Sequence, residues 1–323
     1  MSRKMLEVID AHKDFVVRKN FFGKPKAFLK AVDGVSVYVN EGEIVGLVGE
    51  SGCGKSTLGR VILKLLEPTS GKIVFDGNDI SGLSADEMIP LREQMQLIFQ
   101  DPYASLNPRK TVFEAISAPL KVFGMTDEEP IRKRVLEMMH KAGLTDEFLY
   151  KYPHEMSGGQ RQRVIIARAM ILNPKFVVCD EPVSALDVSV RAQILNLMRK
   201  MQQDTSTSYL FISHDLSVVR YLCDRIYVMY LGKIVEEAPK DELFSHPVHP
   251  YTKALLDAIP LPDVKTRREK RILQGDVPSP MNPPSGCRFH PRCPFATEKC
   301  VSENPALTCI GENHFSACWN FEK

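Results

Sequence analysis

No apolar run in this 323-residue chain approaches the roughly 20 residues needed to cross a bilayer, so no membrane span is expected. An excess of one charge is missing too. The 42 basic residues stand against 40 acidic ones, a formal +2, which argues against a nucleic-acid partner recruited by bulk charge though not against a local patch. Met1-Ser2-Arg3-Lys4 leads into a strand-like stretch rather than a long apolar core, so no export signal is expected. Without one, disulfides explain the eight cysteines poorly and metal ligation explains them better. There is no long internal repeat, so whatever module the chain carries occurs once. The 25% charged and 44% apolar residues are those of a soluble globular protein, long enough for one large domain and a smaller one.

Strand patterns alternating with helical ones predict an α/β sheet. Residues 5–48 read as strands with turns: Val35, Val37 and Val39 alternate, Glu41-Gly42-Glu43 turns, and Ile44 to Val48 is a short buried-type run. Arg18 to Lys26 reads as a basic, solvated hairpin tip. A helix is expected from Thr57 to Leu66, and strands at 72–76 and 95–99. Residues 111–150 form a polar, mainly helical block interrupted by Pro119 and Pro130. Strand and helix then resume at Phe176–Asp180, 188–203, Tyr209–Ile212 and 215–222, which makes the block at about 102–160 an insertion. Nine of the chain's 22 prolines fall in the last 64 residues, so 260–323 reads as a loop-rich extension behind a main domain of 1–259.

Gly49-Glu50-Ser51-Gly52-Cys53-Gly54-Lys55-Ser56-Thr57 fits the phosphate loop G-x-x-x-x-G-K-[ST], with a strand before it and a helix after it. Its glycines let backbone N–H groups curl around a β-phosphate. Lys55 brings a point charge to the β- and γ-phosphates, and the Ser56 hydroxyl can ligate Mg²⁺. Asp180, at the carboxyl end of an apolar strand, stands where a second Mg²⁺-organising group belongs. Glu181 beside it can polarise the attacking water as a general base. Gln100 ends another apolar strand and can reach the metal or the water. His214, after a third, can contact the γ-phosphate.

Met156-Ser157-Gly158-Gly159-Gln160 precedes a helix-competent run, Gln160 to Leu172. Backbone N–H groups at a helix start, unobstructed by side chains, form a site for an anion. The chain already has a site for its own nucleotide, so this one fits a phosphate held by another subunit. A glycine turn capped by a serine is the simpler alternative.

These elements, with Ser184-Ala185-Leu186-Asp187, stand in the order and spacing of the ABC-transporter ATPase family, which the chain resembles from residue 5 to about 240. The resemblance implies a P-loop (RecA-like) α/β core with an inserted helical subdomain, an N-terminal antiparallel β part and a C-terminal loop-rich cysteine extension. It implies ATP and Mg²⁺ as ligands. It further implies head-to-tail dimers in which the loop of one chain and the Ser-Gly-Gly-Gln of the other clamp ATP. The family stacks an upstream aromatic on adenine; Phe28 is the nearest candidate, with Phe22 and Tyr38 as alternatives. Met156 stands where the family usually has Leu, a swap of similar volume.

The run Ile98 to Arg109, with Gln100-Asp101-Pro102-Tyr103 inside it, and His249 to Leu256 resemble the ATPase subunits of oligopeptide and dipeptide importers, of the OppF/DppF type. That resemblance implies a related but different ATPase, or a second copy, as dimer partner. It also implies two transmembrane permeases above it, a substrate-binding protein acting indirectly, no nucleic acid, and a peripheral place on the cytoplasmic side of the cell membrane. Importers of nickel or oligosaccharides are close relatives. A soluble redox-responsive regulatory ATPase is the reading from another class.

Five residues separate Cys287 from Cys293, six separate Cys293 from Cys300, and seventeen separate Cys300 from Cys318. Those gaps are too wide for common zinc knuckles and suit an iron–sulfur cluster, with zinc and unligated thiols as alternatives. Oligopeptide-type ATPases carrying a [4Fe–4S] cluster through this pattern favour the first. Cys309 is left over, and His290 and His314 are substitutes if zinc is bound.

Overall fold

The computed structural model describes residues 3–19, 25–259 and 275–320. Phe22 and the boundary expected at residue 260 lie outside them. Two compact units emerge: a helical unit from the described parts of Met1–Met5, Val39–Glu43 and Gly82–Phe211, and a strand-rich unit from those of Leu6–Tyr38, Ile44–Ser81 and Ile212–Lys323.

The strand-rich unit begins with two long strands, β1 (Lys4–Lys19) and β2 (Pro25–Asn40), followed by the short β3 (Ile44–Val48). Val35, Val37 and Val39 of β2 are buried while Gly34 and Ser36 are exposed, the period-2 pattern of a half-buried strand. After β3 come helix α1 (Lys55–Ile62) and strands β4 (Ser70–Phe75) and β5 (Asn78–Asp79). α1 stops at Ile62, short of the expected Leu66, where Lys64 takes a left-handed conformation (φ 52°). A four-stranded sheet runs β2-β1-β4-β5, with Leu6 opposite Phe75 and Val8 opposite Ile73.

The helical unit holds α2 (Ile89–Arg92), β6 (Met95–Ile98), α3 (Pro102–Ser105), α4 (Val112–Val122), α5 (Glu128–Lys141), α6 (Gly158–Met170), β7 (Phe176–Asp180) and α7 (Val188–Thr205). β8 (Ser208–Ser213) begins in it. Neither proline interrupts a helix, which corrects the sequence reading. Pro130 falls in the first turn of α5, where backbone N–H groups have no helical partner anyway. Pro119 lies inside α4, but a capping box between Thr111 and Glu114 and the buried Ile116 and Leu120 hold that helix through the missing bond. α6 is the hub: α3, α4, α5, α7 and β6 all pack against it, over its buried Val164, Ile165, Ile166 and Ala167. β6 and β7 pair in parallel, Ile98 opposite Cys179, so their carboxyl ends lie side by side.

The chain returns to the strand-rich unit with α8 (Leu216–Leu222), β9 (Arg225–Tyr230), β10 (Lys233–Pro239), α9 (Lys240–Ser245), α10 (Pro250–Asp257), α11 (Glu298–Ser302), β11 (Thr308–Gly311) and β12 (His314–Ser316). The order here is β11-β12-β10-β9-β3, antiparallel except for the parallel pair β3 and β9. Fully buried Glu236 on β10 accepts from the N–H groups of Val248 (2.7 Å) and His249 (2.9 Å) and pairs with His314 Nε2 at 2.8 Å. The cap of α10 is His249, whose Nδ1 accepts from the Tyr251 N–H at 3.1 Å.

That cap requires a neutral imidazole, and burial of His249 holds its pKa at about 4. Because the folded-state value lies below the unfolded value of about 6.5, its contribution is complete above pH 6.5 and is lost as pH falls toward 4. Acidification to pH 5 should cost on the order of 2 kcal/mol through this residue. His249→Asn, which keeps a capping oxygen but cannot titrate, should flatten the decline in melting temperature between pH 7 and 5; an unchanged slope would exclude His249 as its source.

Candidate functional site

The phosphate loop grows directly from β3, and two glycines fix it. A Cβ on Gly49 (φ 153°) would lie 2.1 Å from the Met229 carbonyl oxygen, and one on Gly54 (φ 109°) 2.1 Å from that of Ala31. Only glycine fits either place. Ser51 and Gly52 form the exposed tip, and Cys53 is buried behind them, its thiol pushed up by burial. Lys55, itself buried, donates from Nζ to the carbonyls of Gly49 (2.7 Å) and Glu50 (2.9 Å). Ser56 and Thr57 continue into the first turn of α1, whose cap residue is Gly54. In the same unit His214 follows β8 and is exposed in the turn into α8. Phe28 is 45% exposed on β2. The alternative aromatic Tyr38 has its ring face covered by the Arg225 guanidinium at 3.8 Å, so Phe28 is the better stacking surface of the two.

The helical unit holds the other expected groups. β7 ends on buried Asp180, and Glu181 follows in a left-handed conformation (φ 47°) that glutamate seldom adopts. Ser184 fastens that turn by donating both its N–H (3.3 Å) and its hydroxyl (3.1 Å) to the Glu181 carbonyl. Gln100, two residues past β6, donates from Nε2 to Glu181 Oε2 at 3.1 Å. The structure thus joins the amide expected at the metal or water to the expected base, at the carboxyl ends of two parallel strands.

Ser157 caps α6 in a reciprocal box: the Gln160 N–H donates to Ser157 Oγ (3.3 Å), and the Ser157 N–H donates to Gln160 Oε1 (2.8 Å). The simpler expectation of a serine-capped turn is therefore realised as geometry, on the same residues that were expected to offer an anion site. The two glycines differ in role. A Cβ on Gly159 would meet Val190 Cγ1 at 2.5 Å, so this glycine lets α6 and α7 approach, whereas Gly158 has only Leu186 Cδ2 at 3.6 Å.

The cysteine extension builds a site of its own. Cys287, Cys293, Cys300 and Cys318 line one cavity, with His249, His290, Phe289 and Trp319 among its walls. Three thiols face the backbone N–H two residues further on: Cys287 that of Phe289, Cys293 that of Phe295, Cys318 that of Asn320. Such turns favour a thiolate, whereas burial pushes these thiols up, Cys287 to about 11. Among the described residues no three His, Cys, Asp or Glu side chains stand in metal-holding geometry. His290 is a wall residue, while His314 is committed to Glu236, and Cys309 is exposed with its Sγ on the Gly311 carbonyl.

Sequence reasoning missed one part of the nucleotide site. Glu50 in the phosphate loop is gripped by Arg292 and Tyr251, and a separation of 242 residues between Glu50 and Arg292 leaves no local pattern to find.

A family model described as "ABC transporter" matches residues 32–184, and one described as "Oligopeptide/dipeptide transporter, C-terminal region" matches residues 235–300. The fold matches the dimeric ATP-binding cassette MJ0796 bound to ADP and Pi (TM-score 0.66, 31% identity, 73% of this chain and 99% of that one). It also matches cbiO1 from Clostridium perfringens (TM-score 0.65, 29% identity, 75% and 91%). The chain belongs to the ABC-transporter family and is one of its ATP-hydrolysing cassettes. Within the family it is 49% identical to the oligopeptide transport ATP-binding protein AppF of Bacillus subtilis, over 97% of this chain and 96% of that one. It is 50% identical to the oligopeptide transport ATP-binding protein OppF of Salmonella typhimurium, over 94% and 92%. Among the described residues no helix is long and apolar enough to cross a membrane.

The different surroundings of the two glycines give a test. Gly159→Ala should destabilise the protein by about 1–3 kcal/mol through overpacking against Val190, with partial rescue by Val190→Ala, while Gly158→Ala should melt close to wild type. Calorimetric melting of the four proteins would show it; equal losses at both glycines would refute the packing assignment.

Proposed function

We propose that this chain is the ATP-hydrolysing subunit of a peptide importer, working as a head-to-tail dimer with a related ATPase or a second copy of itself beneath two transmembrane permeases. One observation carries the reading: the similarity to oligopeptide-transport subunits runs through both the cassette and the C-terminal region. The main domain, 1–259, carries hydrolysis; the extension, 260–323, carries the cysteine site. The chain sits peripherally on the cytoplasmic side, and a substrate-binding protein delivers the peptide.

In this reading the backbone of Gly49, Ser51, Gly52, Cys53 and Gly54 cradles the phosphates, with Lys55 moving from its loop carbonyls to the β- and γ-oxygens. Ser56 and Asp180 would hold Mg²⁺, Thr57 would support the loop, and Phe28 would stack on adenine. Ser157, Gly158, Gly159 and Gln160 meet a nucleotide held by the other chain. Glu181 draws the proton from the attacking water. Gln100, already bonded to Glu181, holds that carboxylate toward the water and metal, and His214 contacts the γ-phosphate. Closure of the dimer on ATP and its reopening after hydrolysis are the two states to which transport couples.

We propose a [4Fe–4S] cluster rather than a zinc ion for the four cavity thiols; as placed, no three of the described side chains stand in metal-holding geometry, so the proposal rests on their chemistry and not on a formed site. Each of three is served by a backbone N–H, the wall is apolar rather than carboxylate, and the chain spacing is wide. Cys287, Cys293, Cys300 and Cys318 would hold such a cluster, and its contribution there would be structural, a cross-link between the loops that carry them.

Two outcomes are expected. Glu181→Gln should retain ATP affinity within about twofold and lose at least about 100-fold in turnover, the scale of a missing general base. Turnover near wild type would reject that role for Glu181. Anaerobically prepared protein should contain iron and acid-labile sulfide, both lost in Cys293→Ser; zinc without sulfide would establish the rival metal. Co-purification with permeases and peptide-stimulated ATPase activity test the transport reading itself.

A further inference from the structure

Glu50 is the first variable residue of the phosphate loop, and three separate groups hold it. Its N–H donates to the Tyr251 hydroxyl at 2.8 Å, and its carbonyl accepts from Lys55 Nζ at 2.9 Å. Its carboxylate takes both arms of the Arg292 guanidinium, Nη1 at 2.7 Å and Nη2 at 3.1 Å. A two-armed contact of this kind fixes orientation as well as distance.

Arg292 is itself rigidly placed. Its side chain is 6% exposed and its guanidinium lies 6.0 Å from the Tyr230 ring centroid. Tyr230 packs on Tyr251 (4.7 Å between centroids) and on Phe289 (5.3 Å), and Phe289 in turn on Tyr251 (5.4 Å). One aromatic cluster therefore carries two of the three groups that hold Glu50, Tyr251 and Arg292. The loop is clamped at its entry while its tip, Ser51 and Gly52, stays exposed.

The electrostatic consequence is sharper than the mechanical one. A carboxylate in a loop that binds phosphates is a like charge in an anion site, and left unpaired it repels the ligand. We propose that Arg292, carried by the C-terminal extension, is a positioning residue for ATP: it neutralises and orients Glu50, and so tunes the phosphate loop from outside the cassette's own motifs. This rests on the reading of Gly49–Thr57 as the ATP site. It makes the extension a working part of the nucleotide pocket, in addition to whatever its cysteines bind.

The test is a double-mutant cycle read by binding of a fluorescent ATP analogue, ATPase kinetics and melting temperature on the full chain. Arg292→Gln should weaken ATP binding roughly tenfold, the scale of one lost charge-assisted pair, raising KM with kcat little changed. High salt should shrink the defect, because the exposed carboxylate is then screened. Glu50→Gln removes the carboxylate that the loss of Arg292 would leave unpaired, so Arg292→Gln should weaken ATP binding much less in that background than in the wild type. Arg292→Lys, which keeps the charge but not the fork, should fall between wild type and Arg292→Gln.

Wild-type binding in folded Arg292→Gln overturns the inference, and so does an undiminished Arg292→Gln defect on top of Glu50→Gln. If Arg292→Gln fails to fold, the apolar Arg292→Met, alone and with Glu50→Gln, carries the test: equal ATP affinity of the single and double variants at low salt rejects it. Failure of the wild-type chain to bind the analogue at all would instead count against the ATP-site reading.

Discussion

A phosphate loop works only if its backbone is held still while its N–H groups stay open, and that constraint organises the strand-rich unit. Gly49 and Gly54 press against the carbonyls of Met229 and Ala31 with no room for a side chain, so the loop is seated by main chain against main chain. The residues that supply those carbonyls, or their neighbours, are buried in turn: Met229 on β9, Val32 beside Ala31 on β2, Val48 on β3. Parallel pairing of β3 with β9, Leu47 opposite Tyr227, keeps the seat in register. The loop's geometry is a property of sheet packing as much as of its own sequence.

The elements that carry the candidate site were mostly legible because each depends on short-range chemistry. A buried five-residue run such as Phe176 to Asp180 announces a strand, and the carboxylate at its end marks a candidate site. The glycines of the phosphate loop are forced by local crowding and so appear as a motif. What stayed hidden depends on tertiary packing. Pro119 looks like a breaker, yet α4 survives it because the buried Ile116 and Leu120 secure the helix against its neighbours. The strands β9 and β10, a fully buried Tyr227 among them, belong to a long-range core whose partners the local pattern does not name. The Arg292 grip on Glu50 needs the whole fold to bring its halves together.

The extension illustrates the same division. Its spacing pointed to four cysteines, and the fold gathers those four around one cavity. The spacing could not reveal the backbone N–H groups turned toward three of the sulfurs, nor that His314 is drawn away to Glu236. Burial raises the thiols while the N–H groups lower them, a conflict that a bound cation would resolve in favour of the thiolate. Aromatic packing around Phe289, Tyr230 and Tyr251 then fixes the rest of the segment.

The closed hydrogen-bond circuit at the start of α6 has a consequence for the entropy of recognition. Ser157 and Gln160 satisfy each other's backbone donors, so the entry into the helix is fixed by the chain's own bonds. A surface that is already ordered gives up little conformational freedom when something docks on it. The cap thus prepays, within the fold, the ordering that a looser turn would have to undergo on contact.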